Sequence, residues 1–144
     1  MKFDVNKLIE LKLLRKIPQS IDKAKESIET AKKWLKEAEE NFQNKTFNSC
    51  MLSCYLVMFH SARAILFKDG FREKSHFAIA RYLEAVYVNK NLLEKKWIDL
   101  LDHYREIRHE DQYSTAFFVT EGEARNALTS AKEFLGRMEK LFES

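Results

Sequence analysis

Residues 51–67 read MLSCYLVMFHSARAILF, and only Ser53, His60, Ser61 and Arg63 in that run are clearly polar. A helix this apolar on every side is buried nearly all round. The run stops short of the ~20 apolar residues that cross a bilayer and carries an arginine near its centre. It reads as the middle helix of a soluble bundle, closed by Asp69-Gly70, and not as a membrane span.

The flanking segments carry helical period on one face. Upstream, Ser20 caps a helix running to about Asn44, in which Ile21, Ala24, Ile28, Ala31, Leu35, Ala38 and Phe42 recur every three or four residues opposite a Lys/Glu face. Ahead of it, Val5, Leu8, Ile9, Leu11, Leu13 and Leu14 predict a leading helix from about Phe3 to Lys16, within residues 1–17. It stops before Pro18, which disfavours helix at Ile17. Downstream, Ser75 caps a helix from His76 to about Val88, and residues 89–91 break it. A fifth helix starts near Leu92 with the stripe Leu93, Trp97, Leu100, Tyr104 and Ile107, and its apolar pattern fails over Arg108–Gln112. Residues 114–119, STAFFV, form a connection whose two phenylalanines must fold onto the protein or a partner. Thr120 and Glu123 then make a capping box, with Val119 placed to staple Ala124, for a last helix through Ala127, Leu128, Ala131, Leu135, Met138 and Phe142.

With 144 residues, 45% of them apolar, a single domain over residues 1–144 is expected. Three glycines and one proline are too few turn residues for a many-stranded barrel or sandwich, and the glycines are too scattered for a P-loop or a dinucleotide fold. The fold class is all-α: an up-and-down bundle of four long helices plus short ones. Net charge is +3, divided as +6 over residues 1–90 and −3 over residues 91–144. This division reads first as solubility and second as attraction of an anionic partner. Cys50 and Cys54 lack CxxC spacing and no secretory h-region precedes them, so a reducing cytoplasm is expected.

Two places hold polar groups where core is expected. On the apolar helix, His60 and Arg63 share a face. Arg63 reads as paired inside the bundle, while His60 stays open between a hydrogen-bonded core residue and a cleft residue able to move a proton. At the end of the fifth helix, Arg108 follows Tyr104 by four and so continues the edge of the apolar stripe. Arg105, Arg108, His109 and Tyr113 suit phosphodiester chemistry, the guanidinium stabilising growing charge and the imidazole or phenol moving a proton. By composition alone they read as an ordinary helix end, with Glu106 and Glu110 as partners. The histidines at 60, 76, 103 and 109 are scattered, and neither a metal nor a cofactor is expected.

Together, Tyr55–Leu66 (YLVMFHSARAIL), the loop ending Lys74-Ser75-His76, Arg108–Tyr113 (RHEDQY) and Phe117-Phe118-Val119-Thr120 resemble the HEPN domain, in its small prokaryotic branch called UPF0332, over roughly residues 20–142. The resemblance implies a four-to-five-helix bundle that forms a twofold homodimer, often paired with a minimal nucleotidyltransferase as toxin and antitoxin. It also implies a metal-independent RNase whose motif runs from arginine through a polar residue to a histidine four to six positions on. Arg108 and His109 match the first two positions, and Tyr113 stands where the distal histidine would be.

Three functions follow from the resemblance. As an RNase the protein would use Arg108, with His109, His60 or Tyr113 moving protons, and Arg63, Arg105, Lys74 and His76 holding substrate. As a binding module it would hold RNA or a nucleotide for the nucleotidyltransferase in the same cleft. In the third, Tyr113 accepts a nucleotidyl group from that partner.

Overall fold

A computed structural model describes residues 3–144. The elements run α1 Val5–Glu10, β1 Leu14–Lys16, α2 Ile21–Gln43, α3 Phe47–Asp69, β2 Phe71–Glu73, α4 His76–Leu83, a π-helical turn Glu84–Val88, α5 Lys95–Tyr113 and α6 Glu121–Glu143. The all-α bundle expected from the sequence is the fold.

α3 is its axis, packed along α2 and α6 on one side and against α4 and α5 on the other. It is long and apolar enough to cross a membrane by composition, but 72% of its most apolar window is buried by the other helices. Cys50 and Cys54 are buried free thiols on this helix. Its end is set by Gly70, at φ 91°, where a Cβ would stand 3.0 Å from the Ile17 carbonyl oxygen. Only glycine takes that left-handed turn without strain.

Three of the caps match the sequence signals. Ser20 accepts from Lys23 N–H, Ser75 accepts from Ala78 N–H, and Thr120 with Glu123 forms a complete capping box. Each cap contributes about 1 kcal/mol. Val119 and Ala124 are both buried at that junction.

The leading segment departs from expectation. α1 covers only Val5–Glu10, and Leu14–Lys16 is a strand that pairs antiparallel with Phe71–Glu73 in the register Leu14↔Glu73, Arg15↔Arg72, Lys16↔Phe71. The cause lies at two points. Lys12 takes a positive φ of 60°, which stops the helix, and Pro18 holds the chain before it extended. Extended backbone needs hydrogen-bond partners, and the chain leaving Gly70 supplies them: Ile17 N–H donates to Gly70 O and Lys74 N–H to Leu13 O. Leu8 and Leu14 both reach the core, one from the helix and one from the strand.

The fourth helix also changes pitch. Residues five apart on an α-helix point well away from each other, but the wider turn at Glu84–Val88 lets the Tyr82 and Tyr87 hydroxyls both donate to Asp69 Oδ2 at 2.7 Å. The fifth helix, in turn, continues through the polar stretch to Tyr113.

Candidate functional site

The floor of the site is a ridge on α3. Tyr55, Phe59, Arg63 and Phe67 follow one another at intervals of four, so their side chains stack along one line of the helix. The Arg63 guanidinium carbon lies 4.8 Å from the Phe59 ring centroid and 5.5 Å from that of Phe67. From the N-terminus of α4, the His76 imidazole lies stacked on Phe59 at 4.2 Å, and its Nδ1 is 2.9 Å from the Tyr55 hydroxyl.

α5 supplies the wall. Trp97, Ile98, Leu101 and Tyr104 are buried against the bundle, and the next position on that line, Arg108, is half-buried at the rim with its guanidinium carbon 5.7 Å from the Tyr55 ring centroid. Arg108, Arg105, His109 and His76, with Glu106 and Glu110, border a cleft of about 400 Å³. Beyond His76 the hollow continues as a space of about 170 Å³ bordered by Arg63, Glu73 and Lys74. Beyond Arg63 it opens into a third, of about 290 Å³, bordered by Lys23, Glu26, His60 and Arg72. His76 borders the first two hollows and Arg63 the last two, so the three adjoin as an interrupted trough.

The arginines differ in what they face. Glu73, buried and directed inward by the strand register, forms a bidentate ion pair with Arg63 through Nε and Nη2. Asp102 pairs with both Arg81 and Arg105, the latter at 2.9 Å, and both guanidiniums lie over the Phe77 ring. Among the described residues Arg108 is the one half-buried arginine with no carboxylate within 4.0 Å. Glu106 and Glu110 do not pair with it, and α5 runs on past it for more than a turn. The reading of Arg63 as internally paired agrees with this geometry; the ordinary helix end does not describe Arg108.

This cationic rim tunes the histidines. Burial, then Arg108, Arg63 and Arg105, lowers the His76 pKa to about 4. Burial, then Arg63, lowers that of His60 to about 4, with Glu73 opposing and His76 adding. Both rings are neutral at pH 7. Burial also raises the Tyr55 phenol well above its usual range, so it stays protonated. The hydrogen bond between the Tyr55 hydroxyl and His76 Nδ1 holds the imidazole ring in place, its direction following the tautomer. The rim thus sets the Arg108 guanidinium beside neutral imidazoles, with Glu106 and Glu110 on the same cleft.

The sequence-derived candidates fall into groups. Arg108, Arg105, His109 and His76 share the first hollow, and Tyr113 stands beside them, exposed, with its ring 4.9 Å from that of His109. Lys74 and Arg63 border the middle hollow. His60 borders the far one, where its backbone carbonyl accepts from Ser27 Oγ at 2.6 Å. Among the described residues no three His, Cys, Asp or Glu side chains are grouped to hold a metal ion.

Sequence reading misses three contributors. Tyr55 and Phe59 pass for core, and only their spacing of four from Arg63 marks them as a floor. Asn48 gives no local signal, yet it ties the far end of α5 to the connection that follows. Its Nδ2 donates to Asp111 Oδ1 at 2.7 Å and to Phe117 O at 3.3 Å, and its Oδ1 accepts from Val119 N–H at 3.2 Å. Asp111 is held half-buried, its pKa raised by burial and its Oδ2 without a partner among the described residues.

Comparison with known proteins agrees with this architecture. The chain is 27% identical over 113 residues to a protein of Methanocaldococcus jannaschii named as a "putative toxin", covering 78% of this chain and 84% of that one. A second protein of that organism with the same kind of name is 24% identical over 135 residues, 93% and 86% of the two chains. A UPF0332 protein of Pyrococcus horikoshii is 25% identical over 116 residues, 81% and 77% of the two chains. The family model for the HEPN domain matches residues 24–141, which takes in α3, α5 and most of α6, and the chain belongs to the HEPN domain family.

Proposed function

We propose that this protein acts on RNA at the Arg108 end of the trough, as the toxin-like member of a pair with a minimal nucleotidyltransferase. The observation that carries this reading is the half-buried Arg108 guanidinium, without a carboxylate within 4.0 Å among the described residues and set beside an imidazole in a cleft that Arg105 also borders. A guanidinium without a carboxylate is free to make a bidentate contact with phosphate.

In the cleavage reaction, the RNA 2′-hydroxyl attacks the adjacent phosphorus and the 5′-oxygen of the next nucleotide leaves. Arg108 stabilises the extra negative charge on the non-bridging oxygens as the phosphorane forms. His109 takes the proton of the attacking hydroxyl, and the leaving oxygen is protonated by a second group at the rim. His76 adds a neutral imidazole at the rim, and Lys74 adds positive potential for the flanking phosphates. A homodimer joining two such rims would close the cleft, as the family resemblance implies, and a cytoplasmic setting fits this chemistry.

Purified protein incubated with tRNA and mRNA in EDTA tests the reading. Wild type should cleave, and Arg108→Ala should lose at least about 100-fold of that activity. No cleavage by wild type, or equal cleavage by the variant, removes Arg108 from a nuclease role.

A second reading is favoured by the Tyr113 side chain, which is 67% exposed at the mouth of the same cleft. Beside His109 it would accept a nucleotidyl group from the partner enzyme, and the trough would serve to hold RNA or a nucleotide without cutting it. Co-expression with that partner and intact-mass measurement decides it, since Tyr113→Phe should abolish a mass increase seen in wild type.

A further inference from the structure

The far end of the trough lies beside the two-stranded ribbon, and the ribbon's register sets Arg15 directly opposite Arg72. The inward positions of these strands are occupied by Leu14 and Glu73, so period-two alternation directs both arginines outward. Directly opposed side chains in an antiparallel pair have Cβ atoms about 5 Å apart, and like charges there repel. Both arginines are exposed, and among the described residues neither has a carboxylate within 4.0 Å. Arg72 borders the third hollow together with Lys23, which is also without an acidic partner among the described residues. The acids nearby are Glu26, on the hollow's edge, and Glu73, which is occupied by Arg63. An uncompensated pair of guanidiniums is relieved by an anion that bridges them.

We propose that Arg15 and Arg72, with Lys23, form a second phosphate-binding subsite that holds the backbone of the same single-stranded RNA engaged at Arg108, further along the trough. The proposal rests on the RNA reading above and extends it. Adjoining hollows that share His76 and then Arg63 lead from Arg108 to Arg72, and one strand can lie across them. Phe59 and Phe67 beneath it are buried under Arg63, so neither ring is open for a base to stack on. Contact at the far end is therefore with phosphates and independent of sequence.

Fluorescence anisotropy with oligouridylates of four and twelve nucleotides, at 50 and 200 mM NaCl, tests it. Wild type should bind the twelve-mer more tightly than the four-mer. Arg15→Ala/Arg72→Ala should weaken the twelve-mer about tenfold, leave the four-mer unchanged, and lower the salt dependence of twelve-mer binding by roughly 1.4 in log–log slope, about 0.7 for each phosphate no longer neutralised. Its thermal midpoint should be no lower than that of wild type, because a repulsion has been removed. Arg15→Lys/Arg72→Lys should retain most of the binding. Arg108→Ala should weaken both lengths, and Lys90→Ala/Lys140→Ala, away from the trough, should weaken neither.

If the ribbon variant binds the twelve-mer as wild type does, or if the Lys90/Lys140 variant weakens it equally, the subsite is overturned while the Arg108 reading stands. The first of these results would leave the arginine pair to an acidic protein surface. If wild type binds neither length, the subsite and the RNA reading fall together.

Discussion

Arg63 and Arg108 sit on the same trough, and their surroundings are opposite. Arg63 rises from the middle of α3, sandwiched between Phe59 and Phe67 and held by the buried carboxylate of Glu73. Arg108 leans from the end of α5 over Tyr55 and has no carboxylate within 4.0 Å among the described residues. A half-buried charge already neutralised serves the fold; one left open is available to a ligand. Pairing, more than burial or residue type, separates the two roles.

The largest expected effect lies on the paired side. Glu73→Ala strips Arg63 of its counter-charge and should lower unfolding free energy in urea by about 2–4 kcal/mol, whereas Arg108→Ala should cost about 0.5 kcal/mol or less because no ion pair is broken. Equal costs would erase the distinction.

Next in size is the clamp that holds the end of α5. Asn48→Ala leaves the Asp111 carboxyl, the Phe117 carbonyl and the Val119 amide short of a partner. It should cost about 1–3 kcal/mol and speed amide exchange over residues 114–119. Unchanged exchange there would mean that the connection is held by the packing of Val119 alone.

The remaining effect is on pH dependence. His60 and His76 have folded-state pKa values of about 4, against ~6.5 when unfolded. Between those values the unfolded chain binds more protons, so their contribution to stability falls as pH drops from about 6.5 and is lost through pH 4. The thermal midpoint should fall by a few degrees from pH 7.5 to 5, and His60→Gln/His76→Gln should flatten that slope. An anion in the trough should oppose the fall by favouring the charged rings. A slope unaltered in the double variant would place the titrating groups elsewhere.

Much of the fold is legible locally. The buried run at residues 51–67, the caps at Ser20, Ser75 and Thr120, and the stop at Gly70 depend on side chains a few residues apart, which a linear reading captures. The leading segment reads wrongly as one helix because its apolar residues suit a helix until the chain leaving Gly70 offers a strand partner over fifty residues away. The polar stretch at 108–112 ends the apolar pattern without ending the helix, since α5 there faces a trough and solvent and needs no apolar side.

For the site, the sequence by itself determined which chemical groups are present: a guanidinium at the edge of an apolar stripe, an imidazole next to it, a phenol five residues on. Only the tertiary structure decided their states. Which arginine meets a carboxylate depends on Glu73 from β2 and on the pairing of Asp102 with Arg81 and Arg105. Charge, desolvation and access are fixed by neighbours distant in the chain, because Coulomb interactions and burial act through space and take no account of sequence separation.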